Sequence, residues 1–337
     1  MVKKHKKRPK GRSPKFSIYW YIVAGLIIFL LALGIFLFFH KTVLSVYIFP
    51  ENPKQGDTVF IRVKSDASEI TGNFGKSFGA AQDEQKLIFY RKGNSSEWVS
   101  FLGIDADQNP GDYKISVDVS ATEKLTKNIK VALADFSSEP SAKAPSISQN
   151  GTTQEKAVNN IIKNDNPALK KVLSIFTKEP YFTAPFSFPL SAMKISGFSF
   201  GKFIGFFPYK LQHFGVDLRA PEKTDIYVVN DGKVIATLNL SNYGKTVIID
   251  HGLDIFSMYL HLDEFKVSVG DIVKRGQVIG LSGDTGYVTA PHLHFSMRVG
   301  GARVDPIGFI NATKQLQANF FLADISNAFL NLINNKK

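Results

Sequence analysis

Not one cysteine occurs among the 337 residues, so no disulfide framework holds this chain together. That absence suits an oxidising exterior and is equally compatible with the cytoplasm. Acidic residues are missing from positions 1–16. There Lys3, Lys4, Lys6, Lys7, Arg8, Lys10, Arg12 and Lys15 supply eight of the net charge of +12. The remainder is spread over more than three hundred residues, which is not the basic footprint of a nucleic-acid-binding protein. No HExxH occurs either, so no glutamate is placed beside a histidine pair to act as a base.

Charge is missing again from Ile18 to Phe39. At about 1.5 Å per residue this run covers the roughly 30 Å hydrocarbon thickness of a bilayer. Tyr19, Trp20 and Tyr21 stand at its basic end, where amphipathic rings sit at headgroup level. A cleaved signal peptide has a shorter apolar core and ends in small residues, whereas this run ends in Phe38-Phe39-His40-Lys41. The expectation is an uncleaved, single-pass anchor in the cytoplasmic membrane. Its basic tail lies inside, and everything after Lys41 lies in the periplasm or outside the cell.

After the anchor, the pattern reads as a small β-sandwich. Val59, Ile61 and Val63 alternate with polar neighbours, as do Tyr113, Ile115, Val117 and Val119. Further runs recur at Leu87 to Arg91, Trp98 to Ile104 and Asn128 to Leu133 at sandwich-like spacing. No titratable cluster marks this region, so no chemistry is assigned to it. From Ser137 to about Gln154 the composition turns to Ser, Pro, Ala, Asn and Gly, which cannot bury a core. One or two helices follow. Ala157, Val158, Ile161 and Ile162 share one face, Asn166-Pro167 reads as a helix start, and Leu169, Val172, Leu173 and Phe176 keep helical spacing. These helices are expected to pack on a neighbouring domain.

Beyond them, glycines punctuate short apolar runs with no long helical period: Asp225 to Asn230, Lys233 to Leu238, Thr246 to Asp250, Ile255 to Leu260, Gln277 to Leu281 and His292 to Val299. That is the signature of an antiparallel β domain. The domains expected are a basic tail (1–16), a transmembrane helix (17–40), a β-sandwich (43–136), a linker with short helices (137–180), a second β domain (181–310) and a C-terminal amphipathic helix (311–337). The last rests on Leu322, Ile325, Phe329 and Leu332. The fold class is therefore mainly β.

Chemistry gathers in three short stretches of the second β domain. In Pro291-His292-Leu293-His294-Phe295, an extended strand points both imidazoles one way and buries Leu293 on the other. His213-Phe214-Gly215-Val216-Asp217 offers an imidazole and a carboxylate four residues apart, and Tyr259-Leu260-His261-Leu262 adds a third strand-borne histidine. Neutral imidazole and carboxylate are what zinc takes, and a catalytic site uses three protein ligands with one position left for water. In order, these stretches read HxGxD, YxHL and HLHF. Residues 185 to 310 thereby resemble the LytM/lysostaphin-type zinc endopeptidases, the M23 family.

The resemblance implies an antiparallel sheet flooring a groove for an extended peptide. It also implies one Zn2+ held by His213, Asp217 and His294, with His261 and His292 as general acid–base groups beside the water position. Which of those two is the base is left open. Tyr259 is expected near the groove, while His251 in Asp250-His251-Gly252 is expected to be a turn residue rather than a ligand. His5 and His40 belong to the tail and the membrane boundary. The stretches around Gly56-Asp57, Gly103-Ile104-Asp105 and Gly111-Asp112-Tyr113 also look like the immunoglobulin-like domain found ahead of M23 domains. Departures from the family pattern are Ala290, Ser296, Lys223, Asp225 and Lys202, none of them a proposed ligand. The implied function is a membrane-anchored endopeptidase cutting peptide cross-links of peptidoglycan. The alternative is a non-catalytic cell-wall scaffold or activator of another hydrolase.

Overall fold

Alternation along Thr58–Lys64 decides the first half of the molecule: Val59, Ile61 and Val63 are wholly buried on one face of their strand. The computed structural model describes residues 21–31, 44–76, 84–136 and 152–316, apart from 24, 92, 94, 121, 197, 207 and 208. Residues 1–43 and 44–337 are separate units. Of the run Ile18 to Phe39, residues 21–23 and 25–31 are helical, and the remainder lies outside the described residues. No helix among the described residues is long and apolar enough to cross a membrane. The tail 1–16, most of the linker after Ser137 and the segment bearing Leu322 to Leu332 also lie outside them.

In the second unit, β1 (Ser45–Phe49), β2 (Thr58–Lys64), β6 (Glu97–Gly103) and β5 (Tyr90–Arg91) form one antiparallel sheet. A second contains β4 (Gln85–Leu87), β3 (Thr71–Lys76), β7 (Gly111–Asp118) and β8 (Lys124–Val131). One core joins them, with Ile61 and Leu102 from the first sheet and Ile115 and Val131 from the second. The expected single strand from Leu87 to Arg91 is instead two pieces in different sheets. The chain crosses between them at Ile88-Phe89, burying both Leu87 and Phe89.

The outer face of the β2–β6 sheet is not left to solvent. Phe60 meets Phe101 edge-on, and Phe101 in turn contacts Phe182 and Phe309 of the following region. Gly103 lies so close there that a Cβ would fall 2.4 Å from the Val299 carbonyl, so only glycine lets the two backbones approach. Arg303 is clamped by the carboxylates of Asp105 and Asp107, its guanidinium lying 3.9 Å from the Phe214 ring. Residues 306–316 are helical and close this side, burying Phe309 and Ile310.

The helical segment starts at Thr153, whose Oγ1 accepts the Lys156 N–H. It runs as Gln154–Asn160, a π-helical turn Ile161–Asp165, and Asn166–Val172. The expected start at Asn166-Pro167 is therefore an interior position. Pro167 gives no amide to the preceding turn, which is where the helix widens. Asp165 does not cap; its buried carboxylate accepts the backbone N–H groups of Ser241 (3.2 Å) and Asn242 (2.8 Å) instead. Leu169 packs on Ala236, Ile248, Met258 and Leu260, whereas Ile162 and Phe176 are exposed, against the periodicity reading.

Of the remaining strands, β9 (Phe203–Phe206) and β10 (Tyr209–Gln212) pair as a separate hairpin, and the other nine build one antiparallel sheet. Its main path is β11 (Val216–Leu218), β18 (Leu293–Val299), β15 (Ile255–Phe265), β14 (Gly244–Asp250), β13 (Gly232–Leu240) and β16 (Ile272–Val273). β19 (Ala302–Val304) flanks β18, while β17 (Val278–Ser282) joins β15 and carries β12 (Asp225–Tyr227). Register assigns the faces. Tyr259 pairs with Phe295 and Ser257 with Met297, toward the main core; Leu260 pairs with His294 and Met258 with Ser296, toward the helices and the groove. Asp217 pairs with His294 from the other side and so shares its face.

Candidate metal centre

Alternation alone would send His261 into the core beside Tyr259. Instead, Leu260 and His261 together oppose Thr246, a bulge marked by the register shift between Lys245 and Val247. His261 adopts φ 63°, a left-handed conformation that is costly for a residue with a Cβ. The bulge turns its imidazole to the groove face and lets Leu262 return to the core. The loop after β17 then fixes the ring: His261 Nδ1–H donates to the Thr285 carbonyl at 2.8 Å, leaving Nε2 unprotonated. Thr285 is itself tied down by the Lys245 N–H (2.9 Å) and by donating to the Leu262 carbonyl (2.7 Å).

His213 lies in the loop between β10 (Tyr209–Gln212) and β11, on neither a strand nor a helix. The chain bends at Gly215, where a Cβ would fall 2.4 Å from His294 Nε2 and 2.5 Å from Ser296 Oγ. The glycine of HxGxD is thus demanded by the packing of the fifth residue's neighbours, and the bend brings His213 over Asp217.

Three atoms close on one point. His213 Nε2, Asp217 Oδ1 and His294 Nδ1 lie 3.1, 3.0 and 2.9 Å apart around the triangle. The outer nitrogens fix the tautomers. His213 Nδ1–H donates to the Ser199 carbonyl at 3.2 Å. His294 Nε2–H donates to Ser296 Oγ at 2.9 Å, and that hydroxyl spends its own proton on the Phe214 carbonyl. Every inward atom is then a lone pair, and three lone pairs at this spacing repel unless a cation sits between them. Ligands around tetrahedral zinc stand about 3.3 Å apart, so the set fits a single Zn2+ within a few tenths of an ångström. Among the described residues this trio is the cluster able to hold a metal ion.

The electrostatics favour positive charge at this point. Burial pulls the His213 imidazole down, but the Asp217 carboxylate outweighs it and raises its pKa. Burial pushes Asp217 up, yet His213 and His294 hold its carboxyl well below the usual range. Burial and the neighbouring imidazoles depress His261 to about 3 and help bring His294 to about 4. His292 stands at the rim with Nδ1–H donating to the Ala290 carbonyl (2.9 Å) and Nε2 3.6 Å from Asp217 Oδ1. Its ring centroid is 5.0 Å from that of His261.

All five residues singled out from the sequence meet in one groove of about 1100 Å³. Tyr259 does not join them: wholly buried against Phe295, it accepts the Val229 N–H at its hydroxyl, because period-2 register turns it to the core. His251 is fully buried, bonded to the Asp231 carbonyl and to Ser257 Oγ at 2.8 Å each, with burial lowering its pKa to about 4. Ser296, a departure from the family pattern, orients His294. The same i, i+2 argument that joined His292 to His294 points to it. Ser296→Ala is expected to keep the fold and weaken zinc binding by about 10–100-fold, the usual cost of losing an orienting partner. Titration of the metal-free protein with zinc against a competing chelator checks this.

Residues 211–306 match the family model described as Peptidase family M23. This part of the chain is an M23-family domain. Peptidoglycan DD-endopeptidase ShyA of Vibrio cholerae is 45% identical over 93 residues, covering 28% of this chain and 22% of that protein. Glycyl-glycine endopeptidase ALE-1 of Staphylococcus capitis is 40% identical over 105 residues, 29% of each chain. Lysostaphin of Staphylococcus simulans is 36% identical over 126 residues, 34% of this chain and 25% of that one. The chain thus matches less than a third of the length of each. A crystal structure from Pseudomonas aeruginosa, named as a candidate M23 peptidase, covers 77% of this chain and 95% of its own at a TM-score of 0.51 and 24% identity. That likeness concerns the fold, and it extends well beyond the M23 domain.

Proposed function

We propose that this protein is a membrane-anchored zinc metalloendopeptidase of the LytM/lysostaphin type that hydrolyses peptide cross-links of peptidoglycan. The observation that carries the reading is the triangle of three donor atoms 2.9–3.1 Å apart, with two further imidazoles beside it. A bound zinc ion would lower the pKa of a water molecule toward neutrality and polarise the scissile carbonyl. His213, Asp217 and His294 would hold it. Of His261 and His292, one Nε2 takes the proton of the attacking water and passes it to the leaving amine, while the other imidazole stands by the oxygen that gains charge. The substrate class comes from the names of the relatives. The anchor, the outward-facing catalytic domain and the immunoglobulin-like character of the sandwich rest on the sequence.

A non-catalytic scaffold requires no complete donor set, whereas this chain has all three donors and both flanking imidazoles. Incubating the full chain in detergent with defined muropeptides, and weighing the products, tests the proposal. The expected products gain one water, vanish with a chelator and return with zinc. If the zinc-loaded protein left every cross-link intact, the scaffold reading would stand.

A further inference from the structure

Two residues beyond Ser296 on the groove face of β18 lies Arg298, opposite Phe256 and Arg303. The two arginines differ in one respect. Arg303 is neutralised by Asp105 and Asp107. Among the described residues Arg298 has no ion pair with a carboxylate, and its guanidinium donates to the carbonyl of its neighbour Met297 at 3.2 Å. It lines the groove that holds the metal centre, beside Tyr243, whose hydroxyl is taken up by Asn166. A half-buried guanidinium without a counter-ion is costly, and burial draws its pKa down to about 10. Arg298 lies four positions along the strand from His294, about 13 Å at roughly 3.3 Å per residue. An extended peptide lying along β18 would place a group there three or four residues from the bond at the metal.

We propose that Arg298 is a substrate-binding residue that receives a carboxylate of the peptide, fixing its register in the groove and selecting anionic over amidated substrates. The proposal rests on the peptidase reading for the identity of the ligand as a peptide, but the carboxylate site itself rests on the groove geometry. A guanidinium offers a planar fork of donors matching a carboxylate, and a carboxamide cannot accept as an anion.

The test uses the full chain and two synthetic cross-linked stem peptides that differ only in whether their free carboxyl groups are carboxylates or primary carboxamides. Wild type is expected to cleave the carboxylate form with about tenfold or greater advantage in kcat/KM, mostly through KM. Arg298→Gln should lose that advantage, chiefly through a higher KM for the carboxylate form, and Arg298→Lys should recover part of it. An undiminished preference in Arg298→Gln would overturn the proposal, as would equal cleavage of both peptides by wild type. Equilibrium binding of the same peptides to the metal-free chain separates this from the peptidase reading. A carboxylate preference that disappears in Arg298→Gln upholds the site even if neither peptide is cleaved, and its absence refutes the site even if both are.

Discussion

His294→Ala is expected to remove the metal and the activity together. Its Nδ1 is one corner of the triangle, within 3.0 Å of Asp217 Oδ1 and 2.9 Å of His213 Nε2. Without it, one imidazole and one carboxylate are left to hold the ion, and Ser296 loses the ring it orients. Disturbing a partner behind a ligand weakens metal binding by about 10–100-fold. Deleting the ligand should exceed that range, so zinc is lost on gel filtration and turnover falls with it. The fold should survive, because His294 is held by polar contacts at the groove while the core beneath it consists of Leu293 and Phe295, both wholly buried. Metal analysis of the purified variant, beside its thermal melt, gives the answer. One zinc per chain in a well-folded variant would take His294 out of the site.

Much of this centre was legible because its signals are local. Period-2 alternation places His292 and His294 together and Leu293 and Phe295 beneath them, and the structure follows that reading. The central strands β14 and β15, buried on both faces, were legible instead as short apolar runs between glycines. The failures come from interactions between distant residues. Nothing near Asn166-Pro167 announces that Asp165 would be claimed by the amides of Ser241 and Asn242, seventy-six and seventy-seven positions away. Nothing around Tyr259-Leu260-His261 announces the bulge that, beyond the core-facing Tyr259, turns His261 out to the groove. A bulge is set by pairing with β14, not by the strand's own residues.

The groove walls were equally hidden. Leu169 and Leu173 reach the groove from the helix ahead of the M23 domain, and Asp107 reaches it from the sandwich region. Composition gave these segments no chemistry, and by themselves they carry none. Their contribution is shape. The sandwich face that meets Phe182 and Phe309 and the helix that covers Met258 and Leu260 make the groove a product of three parts of the chain.

His261→Ala and His292→Ala should behave in the opposite way to His294→Ala, keeping zinc while losing turnover. Neither side chain contributes an atom to the donor triangle, so metal content should stay at one ion per chain. A positioned general acid or base contributes about 10²–10⁴-fold, and each variant should slow by something in that range. The loss should fall on kcat more than on KM, since the proton moves only as the bond breaks. For His261 the backbone needs a control, because φ 63° is costly for most residues and alanine inherits that cost. Asparagine tolerates the left-handed region well, so His261→Asn keeps the bulge and removes only the imidazole. If His261→Ala and His261→Asn slow the reaction equally at full zinc occupancy, the proton-transfer role is the one lost. Wild-type turnover of a peptidoglycan peptide by either the His261 or the His292 variant would instead show that its imidazole moves no proton, and the pair would reduce to a single acid–base group.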